Sequence, residues 1–263
     1  MAQDSGNRAE LTLAVFVDFE NLALGAEDIK GGRFDIELVL KRLLEKGRIV
    51  VKRAYCDWTR YRQFMQEFHR HGFEMIDIPQ TKVSGKNSAD IRMVVDALDL
   101  CYSKSHIDAF ALLTGDSDFS PLVSKLKEND KRVIGCGVRK STSGLLEANC
   151  DEFIFYDDLV KVSERPRRRA RKPKGAEQTE QQAEQQAALE RVAETVESLA
   201  QEYDPLWGSL VKQTVRRVYP GFNETACGYR SFSELLEDAA RHGLLELEFD
   251  QERGNYVVRP TGN

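Results

Sequence analysis

Four aspartates, in three separate stretches, carry the chemistry this sequence has to offer. Asp18 ends the apolar run Val15-Phe16-Val17, Asp90 follows Lys86-Asn87-Ser88-Ala89, and Asp116 and Asp118 follow Leu112-Leu113-Thr114-Gly115. Carboxylates brought together resist full ionisation unless a cation compensates them, and hard oxygen donors suit Mg²⁺ or Mn²⁺. A cation so held would orient and activate water and take up charge on a phosphodiester during an in-line displacement. Each stretch also has a plainer reading. Asp18 can accept hydrogen bonds from the start of the next helix, and Asp116-Ser117-Asp118 can turn into a helix capped by Ser120 with Pro121 at its first position. Taken together, the three stretches favour the metal site.

The elements that would gather these residues are legible as apolar runs. Leu11 to Val17, Ile49 to Cys56, Phe73 to Ile78, Ala109 to Leu113, Val133 to Val138 and Phe153 to Phe155 read as strands buried on both faces. Helical patterns lie between them. The clearest is Ile91, Val94, Val95, Leu98 and Tyr102, expected as the buried stripe of a long helix that Asn87 or Ser88 caps. Asp90 then falls in the first turn, where the helix dipole favours its ionised form. Strands alternating with helices give an α/β fold with a mostly parallel sheet, whose active groups collect at the carboxyl ends of the strands. Asp18 and Asp116 stand at two such ends.

Several classes are set aside. The five cysteines (56, 101, 136, 150 and 227) form no C-x-x-C pair, so neither a disulfide scaffold nor a zinc ribbon is expected. His69 and His71, the close histidines, read as surface residues. No apolar run approaches the ~20 residues of a membrane crossing, and the first residues lack a secretory pattern, which points to a cytoplasmic protein with no membrane partner. Charge is segregated. Residues 161 to 174 hold eight lysines and arginines against one acid, whereas residues 175 to 205 hold one arginine against eight acids. The basic run contains Arg167, Arg168, Arg169, Arg171 and Lys172 between Pro166 and Pro173, so it reads as a linker. It serves equally as a solvated tether or as a phosphate-binding arm.

The stretches Val15 to Asn21, Ser88 to Ala97 and Leu112 to Phe119 resemble the three motifs of NYN domains, PIN-like relatives that include the LabA-like proteins. The resemblance covers residues 11–160. It implies a Rossmann-like PIN fold and metal-dependent cleavage of RNA, with Asp18, Asp90, Asp116 and Asp118 as metal-binding catalytic carboxylates and Asn21 positioning a ligand or water. Asp96 also matches, but six residues beyond Asp90 it should face elsewhere on the helix. Lys86 and Thr114 border the motifs and could touch phosphate.

A second unit is expected over residues 184–260, after a basic and then Gln/Glu-rich linker over 161–183. Leu189, Val192, Ala193, Val196 and Leu199 recur at helical spacing, a second helix spans Leu206 to Val218, and a third carries Phe232, Leu235, Leu236 and Ala239. Leu245, Leu247 and Phe249 then alternate with acids, and Tyr256-Val257-Val258 returns after a turn, which completes a small winged helix. Tyr219 to Phe222 and Gly228 to Leu236 resemble the OST-HTH or LOTUS domain, which implies binding of RNA or of an RNA-handling protein. On that reading Lys212, Arg216, Arg217, Arg230 and Arg241 could contact phosphate and Tyr229 could stack on a base. Phe222, Tyr229 and Phe232 fit a core as well as a base platform. The expectation is a Mg²⁺- or Mn²⁺-dependent endoribonuclease. A non-catalytic RNA-binding adaptor is the main alternative, and a phosphotransfer enzyme using Asp116 or Asp118 a lesser one. The oligomeric state stays open.

Overall fold

The structure, a computed structural model, describes residues 11–27, 29, 32–79, 88–164, 180–219 and 222–261. The chain divides into two compact units, Met1–Arg165 and Pro166–Asn263.

The first unit is built on six strands: β1 (Leu11–Asp18), β2 (Gly47–Cys56), β3 (Glu74–Asp77), β4 (Ala109–Leu113), β5 (Arg132–Gly137) and β6 (Glu152–Phe155). All neighbours pair in parallel, in the order β3-β2-β1-β4-β5-β6. The apolar runs dictate this arrangement, because a strand without polar residues must be covered on both faces. Along β1, Leu13, Val15 and Val17 enter one core and Ala14 and Phe16 the other. The first core is closed by α1 (Phe19–Ala26), α2 (Ile36–Lys46), α3 (Arg62–Arg70) and α7 (Tyr156–Glu164). The second is closed by α4 (Ser88–Ser103), α5 (Ser120–Glu128) and α6 (Gly144–Asn149).

The sequence pattern misplaced the buried face of α4. Met93, Ala97, Leu100 and Cys101 pack against the sheet, whereas Ile91, Val95 and Tyr102 of the expected stripe lie exposed. Val94 and Leu98 of that stripe pack partly against the core, so the buried face is rotated toward the small Ala97 and Cys101 and only Ile91, Val95 and Tyr102 are left outside. A second correction concerns Ser120. It opens α5 rather than capping it, and Asp116 instead accepts from the Asp118 amide across the 3₁₀ turn Ser117–Phe119.

The strand order reverses between β1 and β4, the switch point where open α/β sheets form their crevice. Val17 is level with Leu113, so Asp18 and Thr114 emerge side by side.

The second unit contains α8 (Glu180–Leu199), α9 (Gly208–Val218), α10 (Phe232–Arg241) and the antiparallel hairpin β7 (Leu245–Asp250) and β8 (Asn255–Pro260). Its core joins Leu189, Val192 and Val196 of α8 to Val211, Val215, Leu235, Leu236 and Val258. Helix α10 is framed by reciprocal capping: Ser231 Oγ accepts from the Glu234 amide, and Glu234 Oε2 accepts from the Arg230 amide. The expected linker narrows at both ends, since α7 runs on to Glu164 and α8 opens at Glu180. Among the described residues no helix is long and apolar enough to cross a membrane.

Candidate active site at the β1/β4 switch point

Asp18 ends β1 and caps α1, so the same side chain closes a strand and opens a helix. It is 9% exposed. Its Oδ2 accepts from Thr114 Oγ1 at 2.9 Å and its Oδ1 from the Asn21 amide at 3.4 Å. Thr114, fully buried, also accepts from the Asp116 amide at 3.2 Å. One hydroxyl therefore ties the aspartate of the first strand to the loop that carries the third. Asn21 Oδ1 accepts from the Gly115 amide at 2.8 Å, a second strap across the same seam.

Gly115 is obligatory for a packing reason. A Cβ there would lie 2.5 Å from the Ser141 carbonyl oxygen, and the Gly115 carbonyl accepts from the Ser143 amide at 2.8 Å. The loop after β4 is thus pressed against the loop after β5, and it directs Asp116, half-buried, and Asp118, exposed, to the same end of the sheet.

The electrostatics record how these carboxylates meet. Burial pushes Asp18 up to about 7, the Thr114 hydrogen bond opposes this, the charge of Asp90 adds to the rise, the Asn21 amide lowers it and Asp116 raises it again. Burial likewise pushes Asp90 up to about 6, reinforced by Asp116, Asp118 and Glu20. Four aspartates from three stretches thus share one field. Among the described residues no lysine or arginine pairs with any of them. Nor do any three His, Cys, Asp or Glu side chains stand close enough to hold a metal ion between them. The donor chemistry, all carboxylate oxygen with Asp18 and Asp90 pushed upward, fits a hard divalent cation; the spacing is that of an open cluster.

Asp96 lies elsewhere, as its helical offset requires: it accepts from Tyr55 Oη at 2.9 Å and from Arg92 Nε at 3.0 Å. Lys86 lies outside the described residues, as do Arg167, Arg168, Arg169, Arg171 and Lys172. Sequence reasoning left out Glu20, whose charge reaches Asp90 and whose Oε1 accepts from Arg60 at 3.0 Å. Its signal was present, an acid in the first helical turn two residues past Asp18.

Residues 12–157 match the family model described as the NYN domain. The chain belongs to the NYN family. NYN domains have a PIN-like nuclease fold, are generally nucleases and generally bind RNA. An uncharacterized protein of Methanocaldococcus jannaschii is 29% identical over 147 residues, which cover 56% of each chain. The chain thus spans little more than half the length of that curated relative. A crystal structure of a protein of unknown function from Vibrio parahaemolyticus is similar with a TM-score of 0.51 and 26% identity, over 58% of this chain and 97% of that one.

Outside the NYN match, most of the residues expected to meet nucleic acid in the second unit are engaged within it. Lys212 Nζ and Arg216 Nη2 both reach Glu224 Oε1, at 3.3 and 2.9 Å. Arg217 donates to Thr214 at 3.3 Å and Arg241 to Asp238 at 2.8 Å, while Arg230 is exposed. The expectation that Tyr229 offers a stacking face is corrected. Its ring is buried with Phe222 and Phe232 in the core, and its hydroxyl donates to Asp238 at 2.7 Å.

Proposed function

We propose that this chain is a Mg²⁺- or Mn²⁺-dependent endoribonuclease that hydrolyses RNA phosphodiesters at the β1/β4 switch point. The observation that carries the proposal is Asp18, a carboxylate withdrawn from water, its proton affinity raised to about 7 by burial and by the charges of Asp90 and Asp116. Such a group is costly to the fold and is kept where a cation or a proton transfer makes use of it. Asp18, Asp90, Asp116 and Asp118 hold the metal. When bound, the cation supplies Lewis acidity, an activated water and compensation for negative charge on the phosphate.

The chain's own residues do the rest. Thr114 fixes Asp18 and the Asp116 loop relative to one another, so the first and third carboxylates are aimed before a ligand arrives. Asn21 is anchored through its carbonyl oxygen, which leaves its NH₂ as the donor it offers to a phosphate oxygen or to water. Asp118, the most exposed of the four, orients the attacking water, and displacement proceeds directly without a covalent enzyme intermediate.

The second unit is proposed as a winged helix of the OST-HTH or LOTUS kind. Its basic side chains are largely satisfied within the unit, which favours docking of an RNA-handling protein over a direct grip on RNA. The open spacing of the aspartates supports one rival, a non-catalytic RNA-binding adaptor. The test is cleavage of mixed single-stranded and structured RNAs, with DNA as comparison, by the full chain in Mn²⁺. Cutting by the wild type and its loss in Asp18→Asn and Asp116→Asn, with folding and RNA binding retained, is the expected outcome. Metal-dependent turnover surviving in either variant would refute the mechanism, and binding without cutting by the wild type would establish the adaptor.

A further inference from the structure

Helix α4 is apolar on two opposite sides. Met93, Ala97, Leu100 and Cys101 are spent on the core, yet Ile91, Val95 and Tyr102 are 64%, 55% and 66% exposed, and Leu98, partly buried, falls between them. Residues 91, 95, 98 and 102 are spaced by four, three and four. That is the alternation of a helix-packing seam, in which every member faces one partner helix.

The charges beside the seam say what the partner is. Arg92 and Asp99, both exposed, are seven residues apart and so lie on the same flank, one heptad apart. When a second α4 is laid antiparallel, about a two-fold axis passing between Asp96 and Ala97, Ile91 meets Tyr102 of the second copy and Val95 meets its Leu98. The same operation sets Arg92 alongside Asp99 of the second copy, twice by symmetry. Parallel pairing offers no such match, because the opposite flank carries Val94 and Cys101, which have no charge to offer. The face is complementary to itself under a two-fold, which is the requirement of an isologous interface.

We infer that the outer face of α4 is a self-association surface and that its occupant is α4 of a second copy of this chain. The inference is independent of catalysis, since none of the seam residues belongs to the proposed cluster. Four side chains and their flanks cover roughly half of the ~800 Å² per partner of a standard interface, so the dimer is weak and reversible, in the micromolar range. Arg92 already has an intramolecular partner in Asp96, at 3.0 Å, and must share or exchange it on association.

The test is sedimentation velocity of the full chain at about 5 to 500 µM, the range that so small an interface calls for. A concentration-dependent dimer is expected. Arg92→Glu or Asp99→Arg alone replaces two attractions with two repulsions and should weaken it about tenfold. An equimolar mixture of the two variants restores both attractions and should dimerise about as well as the wild type. Val95→Glu, checked for native circular dichroism, should leave only monomer. The proposal is overturned if the wild type stays monomeric throughout, which would assign the face to another occupant. It is equally overturned if a dimer is indifferent to Val95→Glu and to charge reversal, or if mixing the reversed variants recovers nothing.

Discussion

Asp18 in the NYN domain and Glu224 in the C-terminal unit are both carboxylates nearly withdrawn from water, yet their surroundings act on them in opposite directions. Burial pushes each upward. For Asp18 the neighbouring Asp90 and Asp116 add to the rise and carry it up to about 7. For Glu224, backbone hydrogen bonding and the Arg216 and Lys212 cations outweigh burial and hold it below the ordinary glutamate value. The second unit has spent its charges on its own fold. The first has gathered like charges at the mouth of a sheet, an arrangement that costs stability and becomes favourable only when a cation or a proton joins it. A buried acid is therefore not a signal in itself. What distinguishes the two is whether the chain brings the counter-charge.

The sharpest way to break this contrast is to remove one charge from each side. Asp18→Asn or Asp116→Asn should lower metal-dependent RNA cleavage by at least about 10³-fold, as expected when a group that stabilises transition-state charge is removed, measured as initial rates at saturating Mn²⁺. Glu224→Ala should have no comparable effect on cleavage. It leaves Lys212 and Arg216 facing each other and should destabilise the C-terminal unit by about 2 kcal/mol in chemical denaturation. Loss of RNA cleavage in Glu224→Ala at temperatures where its NYN domain stays folded would show that the two units are not specialised in this way.

A smaller effect has the opposite sign. The folded state raises the Asp18 pKa above its unfolded value, so the folded chain holds that proton more tightly. The resulting penalty is fully present above about pH 7 and is relieved as pH falls toward the unfolded value near 4. Asp18→Asn, though it ends cleavage, should therefore stabilise the NYN domain by about 1 kcal/mol at pH 8, the lost hydrogen bonds from Thr114 and Asn21 offsetting the remainder, with the gain shrinking toward pH 4. A variant less stable than wild type at pH 8 would mean that Asp18 is a structural cap and nothing more. The smallest change is Tyr229→Phe. It removes one hydrogen bond to Asp238 and should cost about 1 kcal/mol or less without altering RNA affinity, whereas a tenfold loss of binding would return Tyr229 to the role of a base platform.

The sequence shows the sheet well, because Leu13 to Val17, Ala109 to Leu113 and Val133 to Gly137 admit no polar residue and a strand so apolar has only one place to go. The carboxyl ends of those strands then locate Asp18 and Asp116 without further information. Helix α4 was harder to read, since periodicity weighs the large Ile91, Val95 and Tyr102 above the small Ala97 and Cys101 that the core selects. Thr114 was expected to touch phosphate or to serve as a turn hydroxyl; it is fully buried instead, and its bridge between two aspartates depends on the register of β1 with β4, which no local pattern encodes. The same holds for Lys212 and Arg216: their partner Glu224 lies in the loop after α9, and only the folded unit sets the three together.

The central claim, that the aspartates at the β1/β4 switch point form one cation site, is tested most directly by calorimetric titration of the full chain with Mn²⁺ in buffers of differing ionisation enthalpy. With Asp18 and Asp90 pushed up to about 7 and about 6, Mn²⁺ should displace protons near pH 6 and almost none near pH 8.5, and binding should collapse in Asp18→Asn. Absence of saturable binding at pH 8.5, or binding that Asp18→Asn leaves intact, would contradict the account.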